Sequence, residues 1–180
     1  MQEDKALIED LLNLKTQNTA FQKLVFLYQK QLYNQIRSIV IDHDDAHDVL
    51  QNTFIKVFHN LSSFKGESKL FSWIYRIATN EAITFINKKA KKNKITNYEV
   101  VEKLINNLES DVYFEGDEIQ LKLQKAIATL PEKQQLVFKM KYFEELKYEE
   151  LSKILDTSVG SLKASYHHAV KKIENYLKNN

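Results

Sequence analysis

The chain has 180 residues, enough to bury a core in one or two domains. Three glycines, one proline and no cysteine leave little room for β-hairpins or glycine-rich nucleotide loops, and they exclude disulfide scaffolds and thiolate zinc sites. The formal net charge of +2 hides separate blocks, basic at 88–94, acidic at 109–118 and basic again at the C-terminus. An all-α protein is expected, with two small helical domains joined by a flexible linker and a helix-turn-helix in the second. No stretch approaches the length of a transmembrane helix. The start, MQEDKALIEDLL, lacks a basic n-region and a long apolar run, so neither a signal peptide nor membrane insertion is expected, and the location is expected to be cytoplasmic.

In chain order, residues 3–14 predict a short helix with Leu7, Ile8, Leu11 and Leu12 inward. Residues 18–41 predict a longer one, in which Phe21, Leu24, Val25, Tyr28, Leu32, Ile36 and Ile39 keep helical period. Asp44 or Asp45 is placed to cap a third helix through about Asn60, with Val49, Leu50, Thr53, Val57 and Phe58 on one side. A polar loop over 61–68 then opens the stretch 64–94, around which the rest is organised. Ser68 is its candidate N-cap. Leu70, Ile74, Ile77, Ala78, Ala82 and Phe85 form the apolar stripe, and Ser72, Arg76, Thr79, Asn80 and Asn87 the polar face. The helix ends in Lys88, Lys89, Lys91, Lys92 and Lys94. Trp73, the only tryptophan, has two readings: a ring that stacks on DNA or one that fills the core. A loop, an aromatic-flanked polar face and a cationic tail suit a nucleic-acid backbone with exposed bases. The plain alternative is an amphipathic helix with a solvated end. Residues 1–94 are expected to form the first domain.

From 95 to 117 the character changes. Val100, Val101, Leu104, Ile105 and Leu108 allow two helical turns, but the following ESDVYFEGDE is acidic and broken by Gly116. This span reads as an acidic linker, which fully extended reaches roughly 75 Å, so the flanking domains need not touch. Residues 118–180 read as four helices. Leu121, Leu123, Ala126, Ile127 and Leu130 line the first; Pro131 opens the second, with Val137, Phe138 and Tyr142 on its apolar face. The last two have helix-turn-helix spacing across a turn at 156–158. Leu151, Ile154, Leu155, Val159, Leu162, Tyr166, Ala169 and Ile173 point inward. Ser161, Ala164, Ser165, His168 and Lys172 face out, flanked by Lys163 and Lys171, a face that suits the DNA major groove. A tight helical hairpin without DNA is the alternative, and Asp156 stands where glycine is usual.

With these motifs in order, the chain resembles an extracytoplasmic-function (ECF) sigma factor of the sigma-70 family from end to end. DDAHDVLQNTFIKVFHNL resembles the helix that binds the polymerase clamp, FKGESKLFSWIYRIATNEAI the −10 promoter segment, and LPEKQQLVFKMKYFEELKYEELSKIL with SVGSLKASYHHAVKKI the −35 reader. Asn52 and Thr84 replace acidic residues usual in that pattern, and Asn87 and Ser165 stand where arginines are common.

The resemblance implies that Asp45, Asp48, Gln51 and Phe54 dock on the β′ clamp of core RNA polymerase. It implies a base flipped from the non-template strand and held by the loop (Phe64, Lys65, Gly66 and Ser68), with Trp73, Arg76 and Asn80 along its path. Lys88, Lys89, Lys91 and Lys92 would neutralise phosphates upstream, and Ser161, Lys163, Ser165, His168, Lys171 and Lys172 would meet the −35 duplex. Promoter DNA, the β and β′ subunits and an anti-sigma factor are the implied partners, with no cofactor, no metal and no chemistry on this chain.

The same residues allow three other readings. His43 and His47 at i and i+4, followed by Asp48, have the makings of a metal triad, although His43 falls at the cap. A repressor reading DNA through 118–178 leaves 64–94 unexplained. A pure interaction protein of two helical bundles would not associate with polymerase.

Overall fold

The structure, a computed structural model, describes residues 2–66, 69–106 and 118–179. Among the described residues it is helical without strands. The first helices are α1 (Gln2–Leu12), α2 (Gln17–Val40), α3 (His43–His59) and α4 (Leu70–Asn93), with a 3-10 turn at Leu61–Ser63. They are followed by α5 (Asn97–Asn106), α6 (Glu118–Ala128), α7 (Glu132–Tyr142), α8 (Tyr148–Leu155) and α9 (Val159–Asn179).

The first bundle is built round α4. Along one row of this helix Ile74, Ala78, Ala82, Ile86 and Ala90 are all buried. Its alanines let α2 and α3 approach closely, and both pack on it. Because helices lie on more than one side, burial extends to Ser72 and Thr79, which the sequence pattern put on the open polar face. Thr79 satisfies its hydroxyl internally, donating to the Tyr75 carbonyl and accepting from the Gln35 amide. Leu7 and Leu11 of α1 point inward as expected, but Leu12 is exposed, because α1 offers only its Leu7–Leu11 edge to α2. The cap of α3 is Asp42, two or three residues before the expected position: its carboxylate accepts from the Asp45 N–H at 2.9 Å. Thr53 in that helix is buried and bonds back to the Val49 carbonyl. The start of α4 is marked by Lys69; Ser68, the expected cap, lies outside the described residues.

Part of the span read as a linker is α5. Thr96 and Glu99 cap it reciprocally, the Thr96 N–H donating to Glu99 Oε2 at 2.6 Å and the Glu99 N–H to Thr96 Oγ1 at 3.2 Å. The Thr96 N–H and the Thr96 hydroxyl, both donating to Glu99 Oε2, hold the Glu99 carboxyl pKa below its ordinary value. Val100 and Ile105 are buried, and the helix packs on α4 and α6. The Val101 and Leu104 side chains, Leu108 and all of 107–117 lie outside the described residues.

The C-terminal helices form the expected helix-turn-helix. Pro131 sits at the α7 N-cap, Phe138 is buried, and Tyr142, expected inward, is 54% exposed, stacked on Phe138 with centroids 5.2 Å apart. Leu151, Ile154, Leu162, Ala169 and Ile173 are buried. Asp156 ends α8 in the left-handed region at φ 49°, the conformation glycine adopts most cheaply and Asp better than most. The two groups of helices touch. Leu70, Ile74, Leu151 and Ile154 belong to one continuous buried cluster, and α4 packs on α8.

Candidate nucleic-acid and polymerase interfaces

The exposed stripe of α3 carries Asp48 and Gln51. Asp45, one turn earlier, is half-buried and ion-paired with Lys89, so a residue expected to meet protein neutralises one expected to meet DNA. Phe54 is half-buried, its ring edge-on to Phe21 at 6.3 Å. Ile55, 48% exposed one turn on from Gln51, is the apolar side chain that stands out on this stripe. The helical-stripe rule misses such a residue, because it expects an isoleucine to be inward. His43 and His47 do share a face, ring centroids 4.6 Å apart, with the Tyr33 hydroxyl 2.7 Å from His43 Nδ1 and the Tyr33 ring against His47. Among the described residues no group of three or more His, Cys, Asp or Glu side chains is gathered to hold a metal.

The loop before α4 turns through Gly66 at φ 71°, a backbone angle that favours glycine. Phe64 and Trp73 are both 8% exposed and packed on each other at 5.3 Å between centroids, so most of the indole is core. The remaining edge borders a cavity of about 420 Å³ lined by Ser63, Phe64, Lys65, Trp73, Arg76 and Lys153. Arg76 and Asn80, one turn apart on α4, are exposed. Lys88, Lys91 and Lys92 are exposed too, whereas Lys89 is tied to Asp45 and lies 5.7 Å from the Phe85 ring centre. The tail therefore presents fewer free charges than its sequence suggests.

On α9, Ser161, His168, Lys171 and Lys172 are exposed and Ser165 is half-buried. Lys163 stands off that stripe, its Nζ 5.7 Å from the Tyr148 ring centre. The expected DNA faces of α4 and α9 do not point apart. Trp73, Arg76 and Asn80 from one, and Ser161 and Ser165 from the other, line a single cleft of about 1010 Å³. Two polar links also join the two groups of helices. Lys69 Nζ donates to Glu150 Oε1 at 2.9 Å, a bond that lowers the Glu150 pKa. Lys139 Nζ, buried, donates to the Ser38 carbonyl at 2.5 Å, and burial pulls its pKa down to about 8.

An all-α chain with a lysine-tailed helix and a helix-turn-helix is the architecture of a DNA-binding transcription protein. The family model for sigma-70 region 2 matches residues 24–92, and that for sigma-70 region 4 matches residues 120–173. The ECF RNA polymerase sigma-E factor of Escherichia coli (strain K12) is 29% identical over 182 residues, covering 96% of this chain and 93% of that protein. The sigma-E factor of Haemophilus influenzae has the same identity, with 96% of this chain and 94% of that protein covered. Two solved structures share the fold. CnrH in complex with the cytosolic domain of CnrY has a TM-score of 0.70 at 19% identity, over 98% of both chains. The sigma factor RpoE in complex with the anti-sigma factor NepR, from Bartonella quintana, has a TM-score of 0.66 at 20% identity, over 88% of this chain and 96% of that one. The chain belongs to the sigma-70 family, as a sigma factor of the ECF type. It binds core RNA polymerase and directs promoter recognition and transcription initiation. Among the described residues no helix is long and apolar enough to cross a membrane.

Proposed function

We propose that the work of initiation is divided along the chain as follows. Residues 1–94 hold the polymerase clamp and the −10 element, 95–117 connect, and 118–180 hold the −35 element. The α3 stripe of Asp48 and Gln51, with Asp45 and Phe54 at its edges, docks on β′, polar pairs round an apolar contact. The cavity beside Gly66 receives one base extruded from the non-template strand. Its walls combine an aromatic edge with the Arg76 and Lys65 cations, the pairing that single-stranded nucleic acid favours. The exposed lysines at the end of α4 neutralise phosphates without reading sequence. In the −35 duplex, Ser161, Ser165 and His168 meet base edges, and Lys171 and Lys172 meet phosphates.

The cavity walled by Trp73 and Arg76 is the observation that carries this reading. The chain carries out no chemistry and acts in the cytoplasm, where its polymerase is. An anti-sigma factor holds it in reserve, as the complexes of its structural relatives with CnrY and NepR suggest. The test is promoter opening with core polymerase, followed by permanganate reactivity of unpaired thymines. Asn80→Ala, or a glycine-serine replacement of 62–68, should abolish the reactive thymines while the polymerase complex still assembles. Unchanged melting with the loop replaced would overturn the assignment.

A further inference from the structure

A further cavity, of about 240 Å³, is lined by none of the residues assigned to DNA or polymerase. Its apolar wall is Ile39 of α2, Ile83 and Ile86 of α4, Leu130, and Leu136 of α7. Only Lys139 and Glu132 among the lining residues carry charge, and Glu132 is exposed to solvent. The Gln135 amide is already spent on the Ala128 and Leu130 carbonyls. Lys139 is different. Its side chain is buried, and among the described residues its ammonium has one partner, the Ser38 carbonyl. An ammonium carries three donors, and no carboxylate among the described residues pairs with this one.

We propose that this cavity is a binding site for a small apolar monocarboxylate, its carboxylate on the Lys139 ammonium and its hydrocarbon body against the isoleucines and leucines of the wall. Buried charges are ordinarily paired, because the interior does not replace lost hydration. The Ser38 carbonyl dipole supplies part of that replacement, and a counter-ion supplies the rest. Burial is the one cause that moves the Lys139 pKa, with no anion holding it up. An apolar cavity of about 150 Å³ holds benzene, so this one suits a body of roughly ten non-hydrogen atoms. A neutral hydrocarbon of that size leaves the ammonium unpaired, and a dianion brings more charge than one ammonium neutralises. The ligand gives the chain a chemical input of its own, away from its DNA and polymerase contacts.

Octanoate, which has that size, is the probe, with 1-octanol, octylammonium and acetate as controls. Calorimetric titration of the full-length parent should show one saturable octanoate site, with a Kd of roughly 0.1–1 mM for a ligand so small. 1-Octanol should bind at least about tenfold more weakly, the factor that a hydrogen bond to a charged group supplies. Octylammonium and acetate should not bind, the first for its charge and the second for lack of a body.

Two variants locate the site. Lys139→Met removes the charge and keeps the apolar wall, so it should weaken octanoate by at least the same tenfold factor and still take 1-octanol. Ile39→Phe keeps the ammonium and puts a ring into the space, so it should lose both ligands. Thermal unfolding gives an independent reading: saturating octanoate should raise the Tm of the parent and leave that of Lys139→Met unchanged. The proposal is overturned by any of three results: no saturable octanoate binding to the parent in the millimolar range, octanoate bound equally well by Lys139→Met, or both ligands bound unchanged by Ile39→Phe.

Discussion

Replacing Lys139 by methionine should make this protein more stable, although it removes a hydrogen bond. Lys139 is buried between α7 and α2, and desolvation brings its pKa down to about 8. At pH 7 the ammonium stays charged inside. With about 1.4 kcal/mol for each tenfold change in proton affinity, that burial costs about 3 kcal/mol against a solvated lysine. The compensation is local. Ser38 lies in the last turn of α2, where carbonyls lack helical partners, and the ammonium meets its oxygen with the favourable end of the helix dipole nearby. Leaving that carbonyl unpaired costs about 1–2 kcal/mol. Methionine fills similar space without charge, for a net gain of about 1–2 kcal/mol and a rise in Tm of about 2–8 °C.

The pH dependence carries the sign. Below pH 8 both folded and unfolded chains hold the proton and the penalty is fully present. Between about 8 and lysine's ordinary value, near 10.5, the unfolded chain binds more protons, so this group's contribution to stability rises with pH. Denaturant melts at pH 7, 9 and 10 on parent and Lys139→Met should show the two stabilities converging as pH rises. A variant less stable than the parent at pH 7, with the gap unchanged across that range, would refute the argument.

Two further outcomes follow from packing and backbone geometry. Trp73→Ala should destabilise the protein by about 3–5 kcal/mol, because the indole is packed on Phe64 and mostly buried; a denaturant midpoint within error of the parent would return Trp73 to the DNA surface. Asp156→Gly should raise stability by about 0.5–1 kcal/mol by relieving the left-handed turn between α8 and α9, while Asp156→Ala should lower it, both read from thermal unfolding.

Much of the molecule is legible in the chain because helices report locally. Apolar residues three and four apart located α2, α3 and α4, and the spacing round Asp156 located the helix-turn-helix, since each signal lies within one or two turns of backbone. The lysine run, the loop at Gly66 and the motif order were enough to point to a sigma factor. Caps were harder. Asp42, Asp44 and Asp45 offer the same carboxylate, and which one meets an N–H depends on where α2 releases the chain at Ile41.

What a single-helix pattern cannot contain is the identity of its neighbours. Ser72 and Thr79 look outward on α4 alone, and become buried because helices cover that helix on more than one side. Trp73 has two readings in the sequence, stacking on DNA or filling the core, and only its contact with Phe64 shows that most of the ring is core. Asp45 and Lys89 are 44 positions apart and neutralise each other only because α3 and α4 lie side by side. The facing of the two DNA readers across one cleft is the extreme case. It depends on Glu150 finding Lys69 and on Lys139 finding Ser38, contacts between residues 81 and 101 positions apart. No local propensity encodes them; they arise when two amphipathic bundles bury their remaining apolar surface against each other.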